Sequence, residues 1–120
     1  MSKVGEHITL DIIGTTKEYE PKFFEKLVYR IAKKAKVTVL EISKYNFEPQ
    51  GFTLVALLAE SHISFHTFPE KSMISFDFFT CGEVSPAVAL DILKKEIKHK
   101  RIVKKEFNRD TISYYDDIYN

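Results

Sequence analysis

Twelve residues near the middle of the chain, Ala59-Glu60-Ser61-His62-Ile63-Ser64-Phe65-His66-Thr67-Phe68-Pro69-Glu70, hold two histidines, three hydroxyls and two carboxylates. They overlap the end of an apolar run, Phe52 to Ala59, and a buried strand seldom leads into such polar density without a functional reason. Three chemistries use these residue types. A metal site would need His62 and His66 to grip one ion, as an i, i+4 pair does on a helix. Here Ile63, Phe65, Thr67 and Phe68, closed by Pro69, favour a strand. Four strand residues span roughly 13 Å. Two ligands so far apart cannot both sit about 2 Å from one ion, so no metal is expected. A Ser-His hydrolase would pair Ser61 or Ser64 with either histidine. No G-x-S-x-G elbow is present, however, and 120 residues is short for that fold. The third chemistry is self-processing. A serine hydroxyl attacks the carbonyl of the preceding residue to give an ester. β-Elimination then turns the serine into a dehydroalanine, and hydrolysis leaves a pyruvoyl group. That route needs a strained Glu60-Ser61 peptide, an acid/base such as His66, and a hydroxyl near the developing oxyanion. Residue types alone do not single it out.

The elements that must position these groups follow from hydrophobic period. Glu6 to Ile13 predicts a strand, with Ile8, Leu10 and Ile12 alternating with His7, Thr9 and Asp11. Pro21 stands where a helix would open, and Phe24, Leu27, Val28, Ile31 and Ala35 form its apolar stripe. Val37 to Tyr45 is a second strand. Pro49-Gln50-Gly51 turns the chain, and Phe52 to Ala59 is expected to be buried on both faces. Ile63 to Phe68 and the alternation around Ile74, Phe76 and Phe78 add two strands. Ser85-Pro86 predicts a helix start with Ser85 as N-cap, and Ala89, Ile92, Leu93 and Ile97 form its core stripe. Arg101 to Phe107 is a last strand, and the polar, tyrosine-rich stretch from Asp110 is expected to fray. The order β-α-β-β-β-β-α-β predicts an α+β fold: a two-layer α/β sandwich, its sheet mainly antiparallel, with two helices on one face. Phe79 falls on the parity of Ser75 and Asp77, so the other face is expected to meet a partner or wall an active site.

Composition bounds the function. One domain, residues 1–120, suits the length. Eighteen Lys plus Arg stand against 17 Asp plus Glu, a net charge of +1, which makes no electrostatic case for nucleic acid or membrane surfaces. The Lys-rich run Lys94 to Lys105 is interleaved with Glu96, Ile97, Ile102 and Val103 and reads as a solvated helix end. A single cysteine excludes an internal disulfide and a Cys-rich metal site. No charged-then-apolar leader is seen, so the cytoplasm is the expected compartment.

The Glu60–Glu70 segment, together with Phe79-Thr80-Cys81-Gly82, closely resembles the prokaryotic S-adenosylmethionine decarboxylase proenzymes. Phe47-Glu48-Pro49-Gln50-Gly51-Phe52-Thr53 and, more loosely, Gly5-x-His7 extend the likeness over most of the chain. The resemblance implies self-cleavage between Glu60 and Ser61, giving a β chain of residues 1–60 and an α chain of 61–120 that starts with a pyruvoyl cofactor made from Ser61. It implies that His66 is the processing acid/base and Thr53 the second processing hydroxyl. It also implies that a Schiff base forms between substrate and pyruvoyl group, and that Cys81 is the proton donor after carbon dioxide leaves. Phe47 would stack on the adenine of S-adenosylmethionine and Glu70 would bind its ribose. The working unit would be a homodimer with sites shared between protomers, supplying the aminopropyl donor for spermidine synthesis. Phe68 stands where the family usually has Trp or Tyr, and Lys71-Ser72 is unusual after Pro-Glu. Ile12-Ile13-Gly14-Thr15-Thr16 lacks the family's aromatic and acidic residues, so arginine or ornithine is the alternative substrate. Outside these roles, His62 reads as structural and His7 as a surface or interface residue.

Overall fold

The computed structural model describes residues 4–109; the stretch from Asp110 onward lies outside them. Nine elements follow one another: β1 (Gly5–Ile13), α1 (Pro21–Ala35), β2 (Val39–Asn46), β3 (Phe52–Leu58), β4 (Ser61–Phe68), a single 3-10 turn (Pro69–Lys71), β5 (Met73–Thr80), α2 (Val88–Glu96) and β6 (Arg101–Arg109). The strands form one sheet in the order β2-β3-β4-β5-β1-β6, and every neighbouring pair is antiparallel. β1 therefore lies between β5 and β6, although it is the first strand in sequence.

Both helices cover one face. Ile8, Leu10 and Ile12 of β1, Leu54 and Ala56 of β3, Ile63 and Phe65 of β4, and Ile74, Phe76 and Phe78 of β5 point inward. They join Phe24, Leu27, Val28 and Ile31 of α1 and Ala89 and Leu93 of α2 in one hydrophobic cluster. The expected α+β two-layer sandwich is the fold observed. α1 opens on Pro21 after an extended Glu20 and closes on Lys36, left-handed at φ 58°. Its last carbonyls are then taken up by the Lys36 and Val37 amides.

Besides a β2 that starts at Val39, two residues later than expected, three features differ from expectation. β3 is not buried on both faces: Val55 and Leu57, apolar like its core side, are exposed on the uncovered side. β4 begins at Ser61, two residues earlier than expected, which brings Ser61 and His62 into the ladder opposite Thr80 and Phe79. Ser85 does not cap α2. Its hydroxyl accepts the Ala87 amide at 3.2 Å in the turn before the helix, which starts at Val88 with Ala87 as N-cap. Among the described residues no helix is long and apolar enough to cross a membrane.

Candidate active site

Ala59 and Glu60 form the two-residue turn between β3 and β4. Tight hairpins of this length need positive φ, which Gly, Asn or Asp usually supplies. Here the irregularity falls on Ser61, whose φ is 144°. A side chain in that region costs of order 1–3 kcal/mol and persists only where its surroundings enforce it. They do so here at several points. The Glu60 side chain accepts the Thr38 amide at 2.9 Å. The Ala59 amide donates to the Thr38 carbonyl at 2.9 Å. The Glu60 carbonyl, which belongs to the peptide bond joining Glu60 to Ser61, accepts the Cys81 amide at 3.0 Å and faces the exposed Cys81 thiol at 3.4 Å. A carbonyl already bonded to an N–H is one on which negative charge can develop. Gly5 flanks this corner. A Cβ there would lie 2.8 Å from both the Phe79 ring and the Thr80 carbonyl, so only glycine lets β1 approach.

The uncovered sheet face carries a polar centre beside this turn. Ser61 Oγ lies 3.3 Å from His62 Nδ1. His62 Nε2 and His7 Nε2 each lie 2.9 Å from the same Asp77 oxygen, Oδ1. The Ser64 hydroxyl donates to the other, Oδ2. Phe79 packs beside both imidazoles, its ring centre 5.4 Å from that of His7 and 6.1 Å from that of His62. His7, His62 and Asp77 place one ligand-type atom each within 4.8 Å of one another, a grouping the sequence reading did not find. Apolar side chains flank this centre on the same face: Tyr45, Val55 and Leu57 on one side and Phe107 on the other, all exposed.

At the other end of β4, Thr53 Oγ1 and His66 Nδ1 are 2.5 Å apart. The His66 ring lies 4.2 Å from that of Phe68 and 5.8 Å from that of Phe47. Five residues of extended strand separate His66 from Ser61, roughly 16 Å. Phe47 also borders a cavity of about 660 Å³ at this end, with Thr15, Thr16, Gly51, Thr67 and Met73 in its wall. Glu70 is exposed in the adjoining 3-10 turn.

A family model described as S-adenosylmethionine decarboxylase matches residues 6–110. The chain belongs to the S-adenosylmethionine decarboxylase family. An S-adenosylmethionine decarboxylase proenzyme of Prochlorococcus marinus is 39% identical over 111 residues, 90% of this chain and 89% of that one. One from Methanococcus maripaludis is 35% identical over 115 residues, 93% of this chain and 94% of that one. The crystal structure of the adenosylmethionine decarboxylase from Aquifex aeolicus superposes with a TM-score of 0.81 at 33% identity, covering 98% of this chain and 99% of that one. The chain is thus a decarboxylase, a carboxy-lyase.

The residues singled out by likeness to the S-adenosylmethionine decarboxylases form two groups in this fold. Glu60, Ser61 and Cys81 stand together at the β3–β4 turn. Thr53, His66 and Phe47 stand together at the far end, with Glu70 next to them. The hydrogen bonds of His7, His62 and Asp77 were missed. These residues come from three strands, and only the sheet register brings them together. The available clue was parity: His7 and Asp77 both point away from the core on strands that become neighbours.

Proposed function

We propose that this chain matures by cutting itself between Glu60 and Ser61, and that the product decarboxylates S-adenosylmethionine to supply the aminopropyl donor for spermidine synthesis. The observation that carries this reading is the Glu60–Ser61 peptide itself. Its carbonyl is held by the Cys81 amide, its serine is at φ 144°, and the Ser61 hydroxyl has an imidazole nitrogen 3.3 Å away. Attack by Oγ moves the acyl group from nitrogen to oxygen. β-Elimination of the ester then frees Glu60 as a carboxylate and leaves a dehydroalanine at residue 61. Its imine tautomer takes up water and releases the Ser61 nitrogen as ammonia, leaving a pyruvoyl end on residues 61–120. Once formed, the pyruvoyl group supplies an electrophilic carbonyl and a conjugated amide that takes up the electrons released as carbon dioxide leaves. The site fits such a group. Cys81 stands at the start of the α chain, with its thiol within reach of the new end, and is the group that returns a proton to the substrate carbon.

The far-end residues complete the site from a second copy. Within one chain His66 cannot reach Ser61. A two-fold dimer packing the uncovered faces together would bring Thr53, His66, Phe47 and Glu70 of each chain to the Ser61 end of the other. The exposed Val55, Leu57, Tyr45 and Phe107 supply an apolar surface for that contact. Phe47 would then offer its ring to adenine, and Glu70 two acceptors to the ribose diol. We place the enzyme in the cytoplasm, where a lone exposed thiol stays reduced.

Mass spectrometry tests the processing step. The 14.0 kDa chain should give way to two fragments split at Glu60-Ser61, the second gaining mass on borohydride reduction. A chain that stays whole on prolonged incubation, with no reducible carbonyl, would refute the reading. One observation favours a second substrate class: Thr15 and Thr16, the end of the Ile12–Thr16 stretch in which the likeness to the family is weak, stand in the cavity wall beside Phe47. Carbon dioxide release from S-adenosylmethionine, arginine and ornithine in parallel decides. Turnover of arginine or ornithine alone would replace the first substrate.

A further inference from the structure

We propose that His62 is the general base of self-cleavage, accepting the Ser61 hydroxyl proton on Nδ1, and that Asp77 is the positioning residue that holds His62 in the required tautomer. The inference rests on the self-cleavage reading above and assigns the proton transfer that this reading leaves open. His66 of the same chain stands five strand residues away from Ser61, and the His66 that the proposed dimer would bring there from the second copy already has its Nδ1 engaged by Thr53. The imidazole next to the nucleophile is instead that of His62, with Nδ1 3.3 Å from Ser61 Oγ. An imidazole nitrogen can take a proton only if it carries the lone pair, so the ring proton must sit on Nε2. Asp77 enforces this arrangement, because its Oδ1 lies 2.9 Å from Nε2 and a carboxylate can only accept there. The carboxylate is itself fixed, by His7 on Oδ1 and by the Ser64 hydroxyl on Oδ2. Nucleophile, base and orienting carboxylate thus form a chain in which each member touches the next. The titratable groups facing His62 are Asp77 from β5 and His7 from β1; its ladder neighbour on β3 is Leu57.

The step balances without a co-reactant. Ser61 Oγ bonds to the Glu60 carbonyl carbon, and the bond from that carbon to the Ser61 nitrogen breaks. The proton passes from Oγ to His62 Nδ1 and then to the released nitrogen, which becomes a free amine. Negative charge on the carbonyl oxygen is met by the Cys81 amide. Nothing is oxidised or reduced.

The test follows the ester as well as the cut chains, using hydroxylamine to cleave any ester that has formed. Freshly refolded full-length wild type and His62→Ala are compared by mass spectrometry, with folding checked by circular dichroism. General bases contribute on the order of 100-fold or more. His62→Ala is therefore expected to form both the ester and the cut chains about 100-fold more slowly, with added imidazole restoring part of the rate. A folded His62→Ala chain that cuts at the wild-type rate overturns the assignment, and so does a slow one that imidazole leaves unchanged. If His62→Ala does not fold, Asp77→Asn carries the test with the imidazole in place. The expected result is cleavage slowed at least tenfold, with the His62 ring nitrogens in ¹⁵N spectra showing the proton shared between Nδ1 and Nε2. Unchanged cleavage, or unchanged nitrogen signals, overturns it. A wild-type chain that never cuts overturns the self-cleavage reading and this assignment with it. Wild-type cutting matched by the variants overturns the assignment alone.

Discussion

The two ends of β4 are built for different work. At its start, Ser61 sits in a strained turn, with the Glu60 carbonyl pinned by the Cys81 amide and an imidazole against its hydroxyl. At its finish, His66 and Thr53 are paired beside Phe47 and Phe68, next to an open cavity. The first end has an electrophile and a nucleophile but takes no part in the wall of that cavity. The second has room and an aromatic lining but no reacting bond. Each end carries what the other lacks, and a strand holds them roughly 16 Å apart. A single β-strand can thus serve two sites at once, provided that two chains meet in opposite directions.

The largest expected effect breaks the first end outright. Ser61→Ala should fold and remain whole, with no measurable turnover. Co-expression with His66→Ala then sharpens the comparison. If the ends act across two chains, mixed dimers regain one intact site, and random pairing restores roughly a quarter of wild-type sites. If they act within one chain, the mixture stays dead, as carbon dioxide release would show. Next in size is Val55→Lys on the uncovered face. Burying an unpaired charge at an interface costs several kcal/mol. Light scattering should therefore report monomers, and cutting should fall by at least tenfold with the fold intact.

Cys81→Ala separates the two chemistries of the first end. The backbone amide that holds the Glu60 carbonyl survives, so self-cleavage should slow by less than about tenfold. Turnover should drop about 100-fold, because the proposed proton donor is lost. Equal losses in both would show that the thiol serves only the carbonyl. The smallest effect belongs to the second end. Phe47→Ala removes a stacking ring worth about 1 kcal/mol. KM for S-adenosylmethionine should rise roughly fivefold at nearly constant kcat, whereas KM for arginine should not move.

Much of this arrangement was legible in local sequence pattern. The alternation of Ile8, Leu10 and Ile12, and of Ile74, Phe76 and Phe78, placed β1 and β5 and the faces they bury, because one side meets a helix layer and the other does not. The stripe from Phe24 to Ala35 placed α1 for the same reason. β3 misled because Val55 and Leu57 are apolar on the uncovered side, so period two disappeared where a second surface is greasy. Ser85 misled because its hydroxyl had a nearer amide to bond in the preceding turn. The motif residues Ser61, His66 and Cys81 were found by likeness of short segments. Their separation into two groups, and the meeting of His7, His62 and Asp77, depend on strand order and register, which no local pattern encodes.

The strand order has one more consequence. A break between Glu60 and Ser61 puts β1, α1, β2 and β3 on one fragment and β4, β5, α2 and β6 on the other. Because β1 is threaded between β5 and β6, the two fragments interlock like clasped fingers. The severed molecule cannot come apart without unzipping three ladders, the two that flank β1 and the one between β3 and β4, so a chain cut there should withstand dilution indefinitely and release its halves only as it denatures.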